Sequence, residues 1–110
     1  MEHLRILGIS GSLRQQSYNT ALLRAAVADK PMAIMGVSGG PSGTMRAQYH
    51  LRQIAVGVDA HVLNKPEIFV RNAKDVFDAQ GKLIDETTRK HVSQQLHALV
   101  DWTRRLERRA

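Results

Sequence analysis

Ser10, Gly11, Ser12, Leu13, Arg14, Gln15, Gln16, Ser17, Tyr18 and Asn19 follow directly on the apolar run Leu4 to Ile9. Small residues let the backbone turn back toward a strand end, and the free N–H groups of a helix start can receive a phosphate there. The serine hydroxyls, the Asn19 amide and the Arg14 guanidinium add further donors and one positive charge. No lysine stands before a Ser or Thr after GxxxxG, and the GxGxxG dinucleotide fingerprint is absent, so a single terminal phosphate suits the loop better than a triphosphate or pyrophosphate. On local sequence alone, a polar turn that caps a helix and holds no ligand is the competing reading.

The remaining reactive side chains offer less. His3, His50, His61, His91 and His97 are scattered, and Ser10 and Ser12 lack identifiable His and Asp partners for a nucleophilic triad. His91 and His97 stand six apart on one expected helix, a poor spacing for a shared metal, and read as helix surface. Asp75 and Asp78 flank Phe77 in an expected loop and read as loop residues ahead of a metal or hydrolytic pair. Met32, Met35 and Met45 fit packing.

The elements that must position the phosphate loop follow from apolar patterning. Leu4 to Ile9 reads as a buried strand, and "SYNTALLRAAVADK" as a helix with Tyr18, Leu22, Ala25 and Ala26 on one face and Ser17 or Asn19 at its cap. Met32 to Ser38 reads as a second, nearly continuous apolar strand of the kind found in a covered parallel sheet. After the loop "GGPSGT" comes a helix over about Met45 to Val56, with Ala47, Leu51, Ile54 and Ala55 inward, and then a third strand, Ala60 to Asn64. The stretch from Glu67 to Asp85 is expected to be an ordered loop tethered by Phe69, Val70, Val76 and Phe77, with a turn at Gly81. Asp85 is expected to cap a long last helix whose buried stripe is Val92, Leu96, Leu99, Val100, Thr103 and Leu106. Three strands alternating with three helices predict an α/β fold with parallel strands and right-handed crossovers.

The chain has 110 residues, which predicts one domain over 1–110. With no cysteine, disulfide scaffolds, zinc-thiolate sites and iron-sulfur clusters are excluded. No apolar run approaches a membrane span, so a cytoplasmic protein without membrane partners is expected. The formal charge of +6 is spread evenly: four basic against two acidic residues in 1–30, six against four in 31–84 and six against four in 85–110. Only Arg104 to Arg109 forms a cluster, read as a solvated helix end, and no nucleic-acid partner is expected.

"ILGISGSLRQQSYNTALLRAA" closely resembles the opening of the NAD(P)H-dependent FMN reductase family, flavodoxin-like quinone, chromate and azo reductases. The resemblance continues from Lys30 to Val70, as the family's fourth strand, following helix and fifth strand, and through the closing helix. It implies that Ser10, Ser12, Arg14, Ser17 and Asn19, with Tyr18 nearby, hold the FMN phosphate. Ser38, Gly39 and Gly40 would lie along the flavin ring and ribityl chain, with Arg46, Gln48 and Tyr49 just beyond. Implied with them are NADPH or NADH as electron donor, a quinone, flavin, azo compound or chromate-like oxyanion as acceptor, and a homo-oligomer, dimer or tetramer. Arg46 could then approach the donor's phosphate or a dimer partner, a surface ion pair being the plainer reading; Trp102 reads as packing rather than a flavin stacker. No catalytic acid or base and no metal is implied.

The chain departs from the family near residues 29–31, where Asp29 and Lys30 lead straight to Pro31. Two strand and helix units, about sixty residues or more at ordinary element sizes, are expected at that point. They carry the segment that grips the isoalloxazine ring. A flavodoxin-like three-layer sandwich shortened to about three strands, family strands 1, 4 and 5, is therefore expected, with an inactive remnant or a phosphate- or flavin-binding module as the alternative to a working reductase.

Overall fold

The computed structural model describes residues 27–107. Within them lie β1 (Pro31–Met32), β2 (Met35–Val37), α1 (Met45–Gly57), β3 (His61–Val62), β4 (Ile68–Val70), α2 (Ala73–Val76) and α3 (Glu86–Glu107). The expected strand Leu4 to Ile9 and the helix after it lie outside the described residues. Among the described residues these strands pair in parallel: β1 with β3, in the register Pro31 to His61, and β2 with β4, in the register Met35 to Ile68 and Val37 to Val70. Parallel strands joined through helices make the chain α/β, the arrangement of a flavodoxin-like fold.

Two expectations are corrected. The run Met32 to Ser38 is two short strands, because at Ala33 and Ile34 the chain leaves the ladder and the Ile34 side chain turns into the core. The Ile34 carbonyl there accepts from the Gln95 side chain. The segment after Pro66 is not all loop: Ile68–Val70 is a strand beside β2, and Ala73–Val76 makes one helical turn. Three apolar residues are too few for periodicity to announce a strand. The turn at Gly81 is present, its N–H donating to the Asp78 carbonyl at 3.0 Å with a φ of +80°.

The core gathers Val27, Ile34, Ala55, Val58, Ile68 and Val76. The α3 helix contacts both ladders, touching β1 and β4, while α1 lies on β2 and β3. Asp85 starts α3 as expected, its Oδ2 accepting from the Thr88 N–H at 2.9 Å and the Thr88 hydroxyl at 2.7 Å. The buried stripe of α3 differs at its centre. Leu96 is exposed, and Gln95, at 1% exposure, is the most buried side chain. On α1, Ala47 is exposed and Gln48 takes the inward place.

Candidate functional site

The loop Ser38 to Gly43 leaves the carboxyl end of β2, where ligands of open parallel sheets sit. Its shape is set by its own first residue. The Ser38 N–H donates to the Val70 carbonyl at 3.0 Å, continuing the ladder one step past β2 and β4. The Ser38 hydroxyl accepts from the Gly43 N–H at 3.1 Å and donates to the Gly40 carbonyl at 3.4 Å, closing the loop on itself.

A second loop braces the first. Ala73 N–H donates to the Ser38 carbonyl at 3.0 Å and Asn72 N–H to the Gly40 carbonyl at 3.2 Å. Asn72 does this from a left-handed conformation, φ 49° and ψ 61°, which asparagine tolerates better than most residues. The corner after β4, Asn72 and Ala73, therefore belongs to this rim, and nothing in the local sequence of either residue announces it.

Gly39 and Gly40 form the outer edge of the loop. A Cβ built on either would meet nothing within 4 Å, and their N–H groups have no protein acceptor among the described residues. Open backbone with free donors suits a flat, oxygen-bearing group laid against the turn. Gly43 is different: its φ is +58° and a Cβ would stand 2.7 Å from the Phe69 carbonyl carbon, so the loop can close only with glycine there.

The helix that follows is docked through side chains. Thr44, the N-cap of α1, is left-handed at φ 67° and makes no side-chain cap bond. Its hydroxyl lies over Gly36, where any Cβ would collide with Thr44 Oγ1, and it accepts from Gln48 Nε2 at 3.0 Å. The same nitrogen donates to the Ile68 carbonyl at 2.7 Å.

Charged groups near the loop are few. Arg46 is exposed and makes no ion pair among the described residues, so the surface-pair reading has no partner there. Tyr49 is half exposed and meets Phe69 edge to face at 5.9 Å. Lys65 Nζ, 2.8 Å from Glu67 Oε1, holds the Glu67 carboxyl below its ordinary range, with Arg52 adding to the effect. The Thr88 hydrogen bonds likewise hold Asp85 low.

The other sequence candidates resolve as structural. Asp78 accepts from the N–H groups of Gln80 at 2.9 Å and Lys82 at 2.8 Å, organising the Gly81 turn. No group of three metal-ligating side chains occurs among the described residues. His91 and His97 are exposed, and Trp102 packs with its indole N–H donating to the His61 carbonyl at 2.8 Å. Ser10, Ser12, Arg14, Ser17, Tyr18 and Asn19 lie outside the described residues. Two surface hollows are lined by residues other than Ser38 to Gly43. One runs along the polar face of α3, and one of about 280 Å³ lies between β4 and His91.

A parallel α/β frame with a self-closed, glycine-edged loop at a strand's carboxyl end is the arrangement of a flavodoxin-like fold. Residues 24–75 match the family described as NADPH-dependent FMN reductase. An NAD(P)H-dependent FMN reductase of Pseudomonas aeruginosa is 56% identical over 77 residues, 70% of this chain and 42% of that protein. The NADPH:quinone oxidoreductase of Arabidopsis thaliana is 49% identical over 83 residues, 73% of this chain and 41% of that protein. A quinone reductase of Escherichia coli K12 is 42% identical over 82 residues, 74% of this chain and 44% of that protein. The chain belongs to the NADPH-dependent FMN reductase family. It spans about two fifths of the length of the curated relatives it matches.

Proposed function

We propose that the chain is an FMN-binding, NAD(P)H-dependent oxidoreductase domain whose acceptor is a quinone, a flavin, an azo compound or a chromate-like oxyanion. The observation that carries this reading is the open edge at Gly39 and Gly40, held rigid by Ser38 and offering two N–H donors without a protein acceptor among the described residues. Those donors fit the oxygen- and nitrogen-bearing edge of a flavin, and the missing side chains leave room for its plane. FMN, when bound, supplies the two-electron chemistry between the nicotinamide donor and the acceptor. The protein's part is to hold and orient. Ser38 fixes the loop, Gly39 and Gly40 present backbone, and Ser10, Ser12, Arg14, Ser17, Tyr18 and Asn19 are assigned by resemblance to the phosphate.

One observation favours a second reading. With about two fifths of its relatives' length, the chain could keep flavin or phosphate binding without turnover. Met35 and Val37, 44% and 43% exposed on one face of β2, support a homo-oligomer in which a second copy covers that apolar face. A flavin titration followed by NADPH oxidation with a quinone acceptor separates the two readings. Binding with turnover supports the reductase, binding without turnover supports the module, and failure to retain FMN contradicts both.

A further inference from the structure

The loop that carries Gly39 and Gly40 has two ends, and each is tied to β4 by a different group. At its entrance Ser38 N–H reaches the Val70 carbonyl. At its exit the tie runs through a side chain: Gln48 Nε2 donates both to Thr44 Oγ1 and to the Ile68 carbonyl, the latter at 2.7 Å. We infer that Gln48 is a positioning residue for the Ser38 to Gly43 loop, fixing where the Gly39 and Gly40 edge stands relative to the sheet. This inference rests on the reading of that loop as the ligand site.

Three features distinguish Gln48 from a buried polar residue that merely packs. Its carboxamide is 3% exposed and uses both N–H bonds, while Oε1 has no partner among the described residues. The residue is thus retained for its donors, at the cost of an unmet buried acceptor. Thr44 gives up its usual capping role to receive one of those donors: an N-cap threonine ordinarily accepts from the backbone of its own helix, and here it does not. Finally, Gly36 has no side chain where the Thr44 hydroxyl lies, so that β2, the loop exit and β4 are brought together at one point. Replacing the carboxamide with an apolar group removes both the bond to the Ile68 carbonyl and the bond to the Thr44 hydroxyl and frees the left-handed Thr44 to relax.

The test compares Gln48→Leu, Thr44→Val and Thr44→Ser with Gln95→Leu, measuring amide hydrogen exchange in the full chain and FMN affinity by titration. Gln95 is equally buried but bonds the carbonyls of Ile34 and Pro66, away from the loop. The expected result is exchange at Gly43 and Met45 faster by roughly five- to tenfold in Gln48→Leu and Thr44→Val, the size set by one or two lost buried hydrogen bonds. Amides in the middle of α3 stay unchanged, and Thr44→Ser behaves as the native chain. FMN affinity falls in step in the first two variants. Uniform acceleration across α1, β4 and α3, or unchanged exchange at Gly43, would overturn the inference. If Gln48→Leu does not fold, Thr44→Val against Thr44→Ser decides it alone. Failure of the native chain to bind FMN would contradict the site reading and leave the exchange result to judge the positioning role separately.

Discussion

Gln95 donates to the Ile34 carbonyl at 2.8 Å, across 61 positions of sequence, and the same nitrogen reaches the Pro66 carbonyl at 3.0 Å. These carbonyls flank the gap where the β1 and β3 pair gives way to the β2 and β4 pair, so one side chain from α3 ties the two edges of that gap together. Gln95→Leu removes a buried hydrogen bond to the Ile34 carbonyl and a part-buried one to the Pro66 carbonyl. It should lower stability by about 1–3 kcal/mol, read as a lower urea midpoint at unchanged slope. An unchanged midpoint would show that the gap is satisfied in another way.

Two glycines five residues or fewer from Ser38 should respond oppositely. Gly43→Ala meets the Phe69 backbone at a positive φ and should cost about 1–3 kcal/mol. Gly40→Ala enters open space at an ordinary backbone conformation and should change stability by no more than about 0.5 kcal/mol. Thermal unfolding of the pair checks this, and equal losses would contradict the loop geometry.

Asp85 links stability to pH. Hydrogen bonds from Thr88 depress its folded pKa below the ordinary carboxylate value, so its contribution is present above the unfolded pKa of about 3.9 and is lost as pH falls through the folded value. Asp85→Asn should melt below the native chain at pH 7, and the gap between them should narrow as pH falls below the unfolded pKa. A gap independent of pH would assign the effect to packing instead of charge.

The single tryptophan separates packing from cofactor contact. Trp102→Phe removes the bond to the His61 carbonyl and should lower stability by about 1 kcal/mol, with FMN affinity unchanged. A loss of FMN affinity larger than the loss of stability would place the indole at the flavin.

What the sequence made legible were the long periodic features. The α1 and α3 helices stand within a residue or two of the expected bounds, and Asp85 caps as its type and place suggested. The short strands were harder. Pro31–Met32 and Met35–Val37 read as one run because the break at Ala33 and Ile34 changes direction without changing composition. Ile68–Val70 has three residues, below the length at which alternation can be seen. The buried glutamines had a signal that polarity obscured. Gln48 lies three and seven positions before Leu51 and Ala55, and Gln95 stands three after Val92 and four before Leu99, so each falls on an inward face. At the site, Ser38, Gly39 and Gly40 were reached through family resemblance, and the structure supplies the reason for a glycine edge. Asn72 and Ala73 join that rim through backbone bonds between distant segments, which no local pattern encodes.

The central claim is that the Gly39 and Gly40 edge receives FMN, and titration of the native chain beside Gly40→Val tests it most directly. A Cβ at this position enters space that is open in the fold, so a branched side chain there is aimed at the ligand's place. The account predicts saturable FMN binding by the native chain, with a bound-flavin absorbance spectrum, and at least about tenfold weaker binding by the variant at equal thermal stability, the loss expected for roughly 1.4 kcal/mol of blocked contact. Equal FMN affinity in the two proteins, or no retention of FMN by the native chain, would contradict it.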